Sequence, residues 1–150
     1  KRPPLLIGGG GKRVLSYAAR EADIIGVNGT LTAGVVGPEA LSTMTAESVD
    51  EKVAIVAAAG AHRLNDIEMN IRTFFVKVTD DRDKTVDGIS SMFGVSKKMI
   101  DASPFALIGS VESCIEQLLE RRERWGFSYT IVGAENIDEC APIVAALSGK

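Results

Sequence analysis

Short apolar runs alternate along the chain with longer stretches in which apolar residues return every three or four positions. Leu5-Leu6-Ile7 is the first run, closed by four glycines, as suits a strand buried on both faces. From Lys12 to Ala22, Val14, Ala18 and Ala22 fall at helical spacing, and Leu15 and Ala19 widen the stripe. Ile24 to Val27 forms the second run and stops at Asn28-Gly29, a turn signal. Thr30 to Thr45 is irregular, punctuated by Gly34, Gly37 and Pro38. A helix is expected next. Ser48 and Glu51 have capping-box spacing, and Val49, Val53, Val56 and Gly60 mark its inner stripe.

The third strand is expected from about Ile67 to Val78, alternating at Glu68, Asn70 and Arg72 before apolar Phe74-Phe75-Val76. Asp80, Asp81 and Asp83 suit the first turn of a helix that fades near Gly94. A short turn around Lys97 to Asp101 then leads into Ser103-Pro104. Ser110 is a good N-cap for a helix striped by Val111, Ile115, Leu118 and Trp125 and closed by Gly126. Tyr129 to Val132 is the fourth strand. Asn136 with Glu139 offers a further cap, and Pro142 falls in the first turns of the last helix.

Strands alternating with helices predict an α/β fold with a parallel sheet and right-handed crossovers. Two solutions close such a pattern: a doubly wound open sheet, or part of a (β/α)8 TIM barrel. Four units occupy the 150 residues, whereas a whole barrel needs about 250. Half a barrel leaves its outer strands, near Leu6 and near Ile131, without partners, and such edges invite pairing with another chain. Periodicity alone does not choose between the two.

Composition narrows the function classes. A net charge of −3 gives no basic field for nucleic acid. No apolar run reaches the roughly 18 residues of a membrane span, and Lys1-Arg2-Pro3-Pro4 is not followed by a signal-peptide core. Cys114 and Cys140 fall inside expected helices with no metal spacing around them, so buried reduced thiols in a cytoplasmic protein are expected. Asp80-Asp81-Arg82-Asp83 lacks the glycine and terminal glutamate of a calcium loop, and no metal site is expected. The chain does not start with methionine and its first strand begins within a few residues of its end, which suggests a piece of a longer protein.

Gly8-Gly9-Gly10-Gly11-Lys12-Arg13 joins a buried strand to a helix. Backbone amides and the helix N-terminus converge there, and without side chains an anion can approach closely. Lys12 and Arg13 add positive charge, so phosphate binding is one reading; a flexible turn without ligand is the other. Standard motifs do not match. A Walker A loop needs glycine where Leu6 stands and Ser or Thr where Arg13 stands. A dinucleotide fingerprint begun at Gly8 meets Arg13, and begun at Gly9 meets Val14.

One family shares these words in order. Pro3-Pro4-Leu5-Leu6-Ile7 with the four glycines, Arg13-Val14-Leu15 and Ala18-Ala19-Arg20-Glu21-Ala22-Asp23-Ile24 resembles the middle of luciferase-like monooxygenases, nearest to their coenzyme F-420-dependent branch. Ser103-Pro104-Phe105, Leu107-Ile108-Gly109-Ser110-Val111-Glu112 and Arg121-Arg122-Glu123-Arg124-Trp125-Gly126-Phe127-Ser128-Tyr129 resemble the family's C-terminal segment. The resemblance implies that residues 1–150 are one partial domain, strands five to eight of a TIM barrel, with the N-terminal half absent. It also implies a cofactor site at Gly9, Gly10, Gly11, Lys12, Arg13 and Asn28, with Gly10 and Gly11 matching best and Gly10→Asp repelling phosphate. The implied chemistry is hydride transfer between reduced coenzyme F-420, or alternatively FMN, and a small organic substrate. The acid–base residues would come from the other half. The partner would be that missing half, or a second copy meeting the exposed strand edges. Two alternatives stay open: a non-catalytic half-barrel scaffold that self-associates, and an independent α/β phosphate-binding domain.

Other polar residues invite plainer readings. His62 sits near a helix end, where its charge suits the dipole. Glu120 to Arg124 reads as an exposed charged face, and Trp125 and Tyr129 as packing residues. Glu68, Asn70 and Arg72 form either a polar layer inside the barrel or a solvated strand start.

Overall fold

The computed structural model describes residues 2–30 and 38–149. Its first units are β1 (Leu6–Gly9), α1 (Lys12–Glu21), β2 (Ile24–Val27), α2 (Pro38–Ser42), α3 (Ala46–Gly60) and β3 (Glu68–Arg72). There follow β4 (Phe75–Val78), α4 (Arg82–Phe93), α5 (Lys97–Ala102), β5 (Ala106–Gly109), α6 (Val111–Trp125), β6 (Phe127–Ile131) and α7 (Ile137–Leu147). All strand pairs are parallel, in a four-stranded sheet ordered β1-β2-β3-β6 and a two-stranded sheet of β4 and β5.

The register assigns each residue to a face. Ile7, Ile25 and Met69 stand side by side, and Val27 pairs with Ile71 one step further on. On this face Leu15, Ala18, Ala19 and Ala22 of α1 and its C-cap, with Val56 of α3, pack against Ile25, Ile7 and Met69. Val49 of α3 and Trp125 of α6 meet Val27 and Ile71. The other face carries Leu6, Ile24 and Glu68, then Gly8, Gly26, Asn70 and Tyr129, then Arg72 and Ile131. None of these residues joins a core cluster. Leu6 is 44% exposed and Tyr129 40%.

A doubly wound sheet has helices on both faces and a reversal in strand order. Here each new strand of the main sheet is added on the same side, and helices cover one face only. Right-handed crossovers produce that arrangement in a barrel wall. The fold is therefore that of a half TIM barrel, and the face without helices corresponds to the barrel interior.

Caps follow local chemistry. Ser110 accepts the amide of Ser113, Asp81 accepts that of Lys84, and left-handed Gly94 and Gly126 close α4 and α6. The capping box expected at Ser48 is replaced: Thr45 caps α3 by accepting the Ser48 amide at 3.2 Å. Ser48 lies inside the helix, where its hydroxyl receives a bond from Lys52 Nζ at 2.9 Å.

Three further expectations change. The strand expected from Ile67 to Val78 breaks at Thr73-Phe74. There Thr73 bonds the Ile131 carbonyl through both its amide and its hydroxyl, while the Phe74 amide turns to Phe105. The chain thus passes from the main sheet to a second sheet with β5. That strand was not anticipated, because four fully buried residues show no alternation. The turn at Lys97–Asp101 is the short helix α5, capped by Ser96. The Glu120–Arg124 face is not wholly exposed either. Arg121 is 8% exposed, and its guanidinium bonds the carbonyls of Pro104 and Ala106 at 3.0 and 2.5 Å. Burial pushes its pKa down to about 10.

Asp50 ties α3 to α6 by accepting bonds from Arg124 at 3.1 and 2.6 Å and from Trp125 Nε1 at 2.6 Å. The Arg124 bonds first, and the indole second, hold its carboxyl below the ordinary value of 3.8. A depressed folded-state pKa contributes stability above the unfolded value, lost as pH falls through the lowered one. The pair is half in solvent, so Asp50→Asn is expected to cost about 1 kcal/mol at neutral pH. Urea midpoints between pH 2 and 7 should show that difference shrinking below pH 4; a constant difference would contradict the assignment.

Candidate functional site

Four strands end near one another at the C-terminal rim of the half-barrel, and the glycine loop lies at one of those ends. β1 stops at Gly9, and α1 begins at Lys12 with Gly11 as its N-cap. No side chain caps this helix, and its first turn contains no acid. Its first amides are therefore open to an external acceptor.

The glycines differ in what surrounds them. Gly9 faces α1, and a Cβ there would stand 2.6 Å from Val14 Cγ1. Gly10 lies against the next loop, where a Cβ would come within 2.6 Å of the Gly29 carbonyl carbon and 2.7 Å of the Asn28 oxygen. The contact is reinforced by the Asn28 amide on the Gly9 carbonyl at 3.0 Å and the Thr30 hydroxyl on the Gly10 carbonyl at 3.2 Å. Only Gly11 faces open space, and its φ of −98° and ψ of 149° suit any residue. Gly10→Asp therefore tests loop packing, and Gly11 is the position that tests ligand binding.

Lys12 and Arg13 are exposed and make no ion pair among the described residues. Asn28 is half-buried just beyond β2, with Nδ2 3.1 Å from the place a Gly8 Cβ would take. Gly9, Gly10, Gly11, Lys12, Arg13 and Asn28 are thus brought together at one rim. His62 is exposed in a 3-10 turn after α3. Its neighbour Arg63 closes the C-terminal end of α1, bonding the Ala19 and Ala22 carbonyls at 3.0 and 2.9 Å.

Asn70 and Arg72 fall on the uncovered face, which settles the alternatives for that stretch. Asn70 is 4% exposed and donates to the Tyr129 carbonyl at 2.9 Å. Lys52 gave no signal in the sequence. It is buried, its Nζ holds the Thr43 carbonyl at 2.7 Å, and desolvation lowers its pKa. Burial also raises the Cys114 thiol to about 11, so both buried, free cysteines are poor nucleophiles. No metal cluster exists among the described residues, nor is any of their helices long and apolar enough to cross a membrane. A cleft of about 410 Å³ bounded by α5 and α6 contains Arg82, Arg121 and Arg124. Each of these arginines is already bonded, to Asp101, to backbone carbonyls and to Asp50 respectively.

Gly10→Ala is expected to destabilise the fold by about 2 kcal/mol through overpacking against backbone. Gly11→Asp should leave stability unchanged or raise it by a few tenths of a kcal/mol, as an N-cap aspartate does. Urea unfolding of both variants checks the contrast, and equal midpoints would contradict the loop geometry.

No family model and no curated protein sequence matches the chain. Solved structures do. Coenzyme F-420-dependent tetrahydromethanopterin reductase from Methanopyrus kandleri superposes with a TM-score of 0.62 at 14% identity, over 96% of this chain and 49% of that one. An F-420-dependent secondary alcohol dehydrogenase, solved in complex with an F-420-acetone adduct, gives 0.61 at 16% identity, over 98% and 48%. A long-chain alkane monooxygenase gives 0.60 at 12% identity, over 97% and 41%. The chain spans about half the length of each of these structures. The chain shares its fold with about half of each of these structures, as a half TIM barrel does.

Proposed function

We propose that this chain is the C-terminal half of a luciferase-like oxidoreductase, with strands β1, β2, β3 and β6 as barrel strands five to eight. The remaining strands come from the N-terminal part of the same protein, or from a second copy across the free edges of β1 and β6. The observation that carries this reading is the one-sided sheet with an uncapped, acid-free helix N-terminus at its C-terminal rim. That rim is where barrel enzymes keep their chemistry.

The residues at the rim fit the phosphate of a deazaflavin or flavin cofactor. Gly11 leaves the α1 amides open, Gly10 brings the two loops close together, and Lys12 and Arg13 supply unpaired positive charge. Asn28 offers a carboxamide from the loop after β2, beside Gly8. When bound, coenzyme F-420 or FMN supplies two-electron chemistry, hydride transfer to or from an organic substrate. The work of this chain is to hold the phosphate and to present the uncovered sheet face to the substrate. F-420 is the first choice because the sequence words resemble that branch; FMN is the alternative.

The test uses the 150-residue chain within its full-length parent and absorbance titrations with coenzyme F-420 and with FMN. Gly11→Asp should weaken binding at least about tenfold by placing a carboxylate against the phosphate. Gly11→Ala, which adds only a methyl in open space, should not. Equal affinity in wild type and Gly11→Asp, or no binding of either cofactor, would overturn the assignment.

A further inference from the structure

The loop after β2 holds the glycine loop by bonds that fix which way its peptides face. The Gly9 carbonyl accepts the Asn28 amide at 3.0 Å, and the Gly10 carbonyl accepts the Thr30 hydroxyl at 3.2 Å. In a trans peptide the carbonyl and the following N–H point in opposite directions, and no cis bond occurs among the described residues. The N–H groups of Gly10 and Gly11 are therefore both turned away from the β2 loop. Neither has a hydrogen-bond acceptor among the described residues. Consecutive N–H groups on one side are the arrangement with which backbone binds anions.

The two anchors differ in kind. The Asn28 bond continues the backbone register of β1 and β2. The Thr30 bond depends on one side-chain hydroxyl. Glycine stands on both sides of the Gly10–Gly11 peptide, so backbone sterics alone leave its orientation free. Rotated, that peptide would present a carbonyl oxygen where it now presents an N–H. Thr30 is half-buried and is itself clamped. Its amide donates to Thr43 Oγ1 at 2.8 Å, and the Thr43 hydroxyl donates on to the Ala40 carbonyl at 2.8 Å. The Thr43 carbonyl accepts Lys52 Nζ at 2.7 Å, and Nζ also reaches Ser48 Oγ at 2.9 Å. Lys52 is 4% exposed and forms no ion pair among the described residues. A buried ammonium is costly unless acceptors are well placed, so Lys52 holds the α2–α3 corner that carries Thr43.

We infer that Thr30 is a positioning residue: clamped by Thr43 and anchored through it by Lys52, it holds the Gly10–Gly11 peptide with its N–H away from the β2 loop. The use of that orientation, to offer the N–H to a cofactor phosphate, rests on the reading of the glycine loop as a phosphate site. The orientation itself needs no ligand. Thr30, Thr43 and Lys52 touch neither phosphate nor substrate on this account; they act through the glycine loop.

The test follows the glycine amides by nuclear magnetic resonance in the full-length parent, isotope-labelled at glycine, and titrates it with coenzyme F-420 and FMN. T30V keeps the side-chain shape and removes the hydroxyl, T30S keeps the hydroxyl, and K52M removes the ammonium. T30V should shift the Gly11 amide resonance without ligand and weaken cofactor binding at least about fivefold, the loss of one hydrogen bond. T30S should match the wild type in both. K52M should move the Gly11 amide in the wild type and add little in T30V, because the two act in one chain of contacts. A Gly11 amide unmoved by T30V overturns the inference, as does T30S behaving like T30V. Fully additive effects of K52M and T30V remove Lys52 from it. A wild type that binds neither cofactor, with the Gly11 shift present in T30V and absent in T30S, supports the positioning role while removing the phosphate reading.

Discussion

The main sheet is covered on one face and bare on the other, and most of the molecule's character follows from that asymmetry. Right-handed crossovers place α1, α3 and α6 on the same side, where their small and branched residues bury Ile25, Val27 and Ile71 completely. The opposite face keeps Leu6 and Tyr129 in solvent and carries glycines, amides and a free arginine where a core would carry aliphatic side chains. Strands β1 and β6 each retain one unpaired edge among the described residues, which is the usual condition for recruiting another strand.

The rim gathers its polar groups for the same reason. Parallel strands all end at one side, so the loops after β1 and β2 must meet, and Gly10 permits the close approach of their backbones. The uncapped start of α1 and the Arg72 side chain are placed by different rules, one by a helix start and the other by strand register. Charge reinforces the division. Lys12, Arg13 and Arg72 lack acid partners among the described residues, whereas Arg2, Arg82 and Arg124 are paired with Asp23, Asp101 and Asp50.

Much of this was legible in the sequence where a local rule governs. The alternation of parallel strands with helices, the cap at Ser110 and the stops at Gly94 and Gly126 depend on neighbours within a few residues. What escaped depends on distant partners. The break at Thr73 is imposed by Ile131 and Phe105, and burial of Arg121 by the carbonyls of Pro104 and Ala106. The Thr45 cap is a local exception: Ser48 lies inside α3, where its hydroxyl receives Lys52. At the candidate site, the run of glycines marked the strand-to-helix loop without saying which glycine faces open space. The alternation through Glu68, Asn70 and Arg72 pointed to one face, but only the register showed that no helix covers it.

The central claim is that two strand edges and one sheet face are unsatisfied in the isolated chain. Sedimentation velocity over a wide concentration range tests it most directly. The account predicts reversible association, with the mass rising above 15.9 kDa as concentration increases. A species that remains at 15.9 kDa throughout, with the amides of β1 and β6 as protected from hydrogen exchange as those of β2, would contradict it.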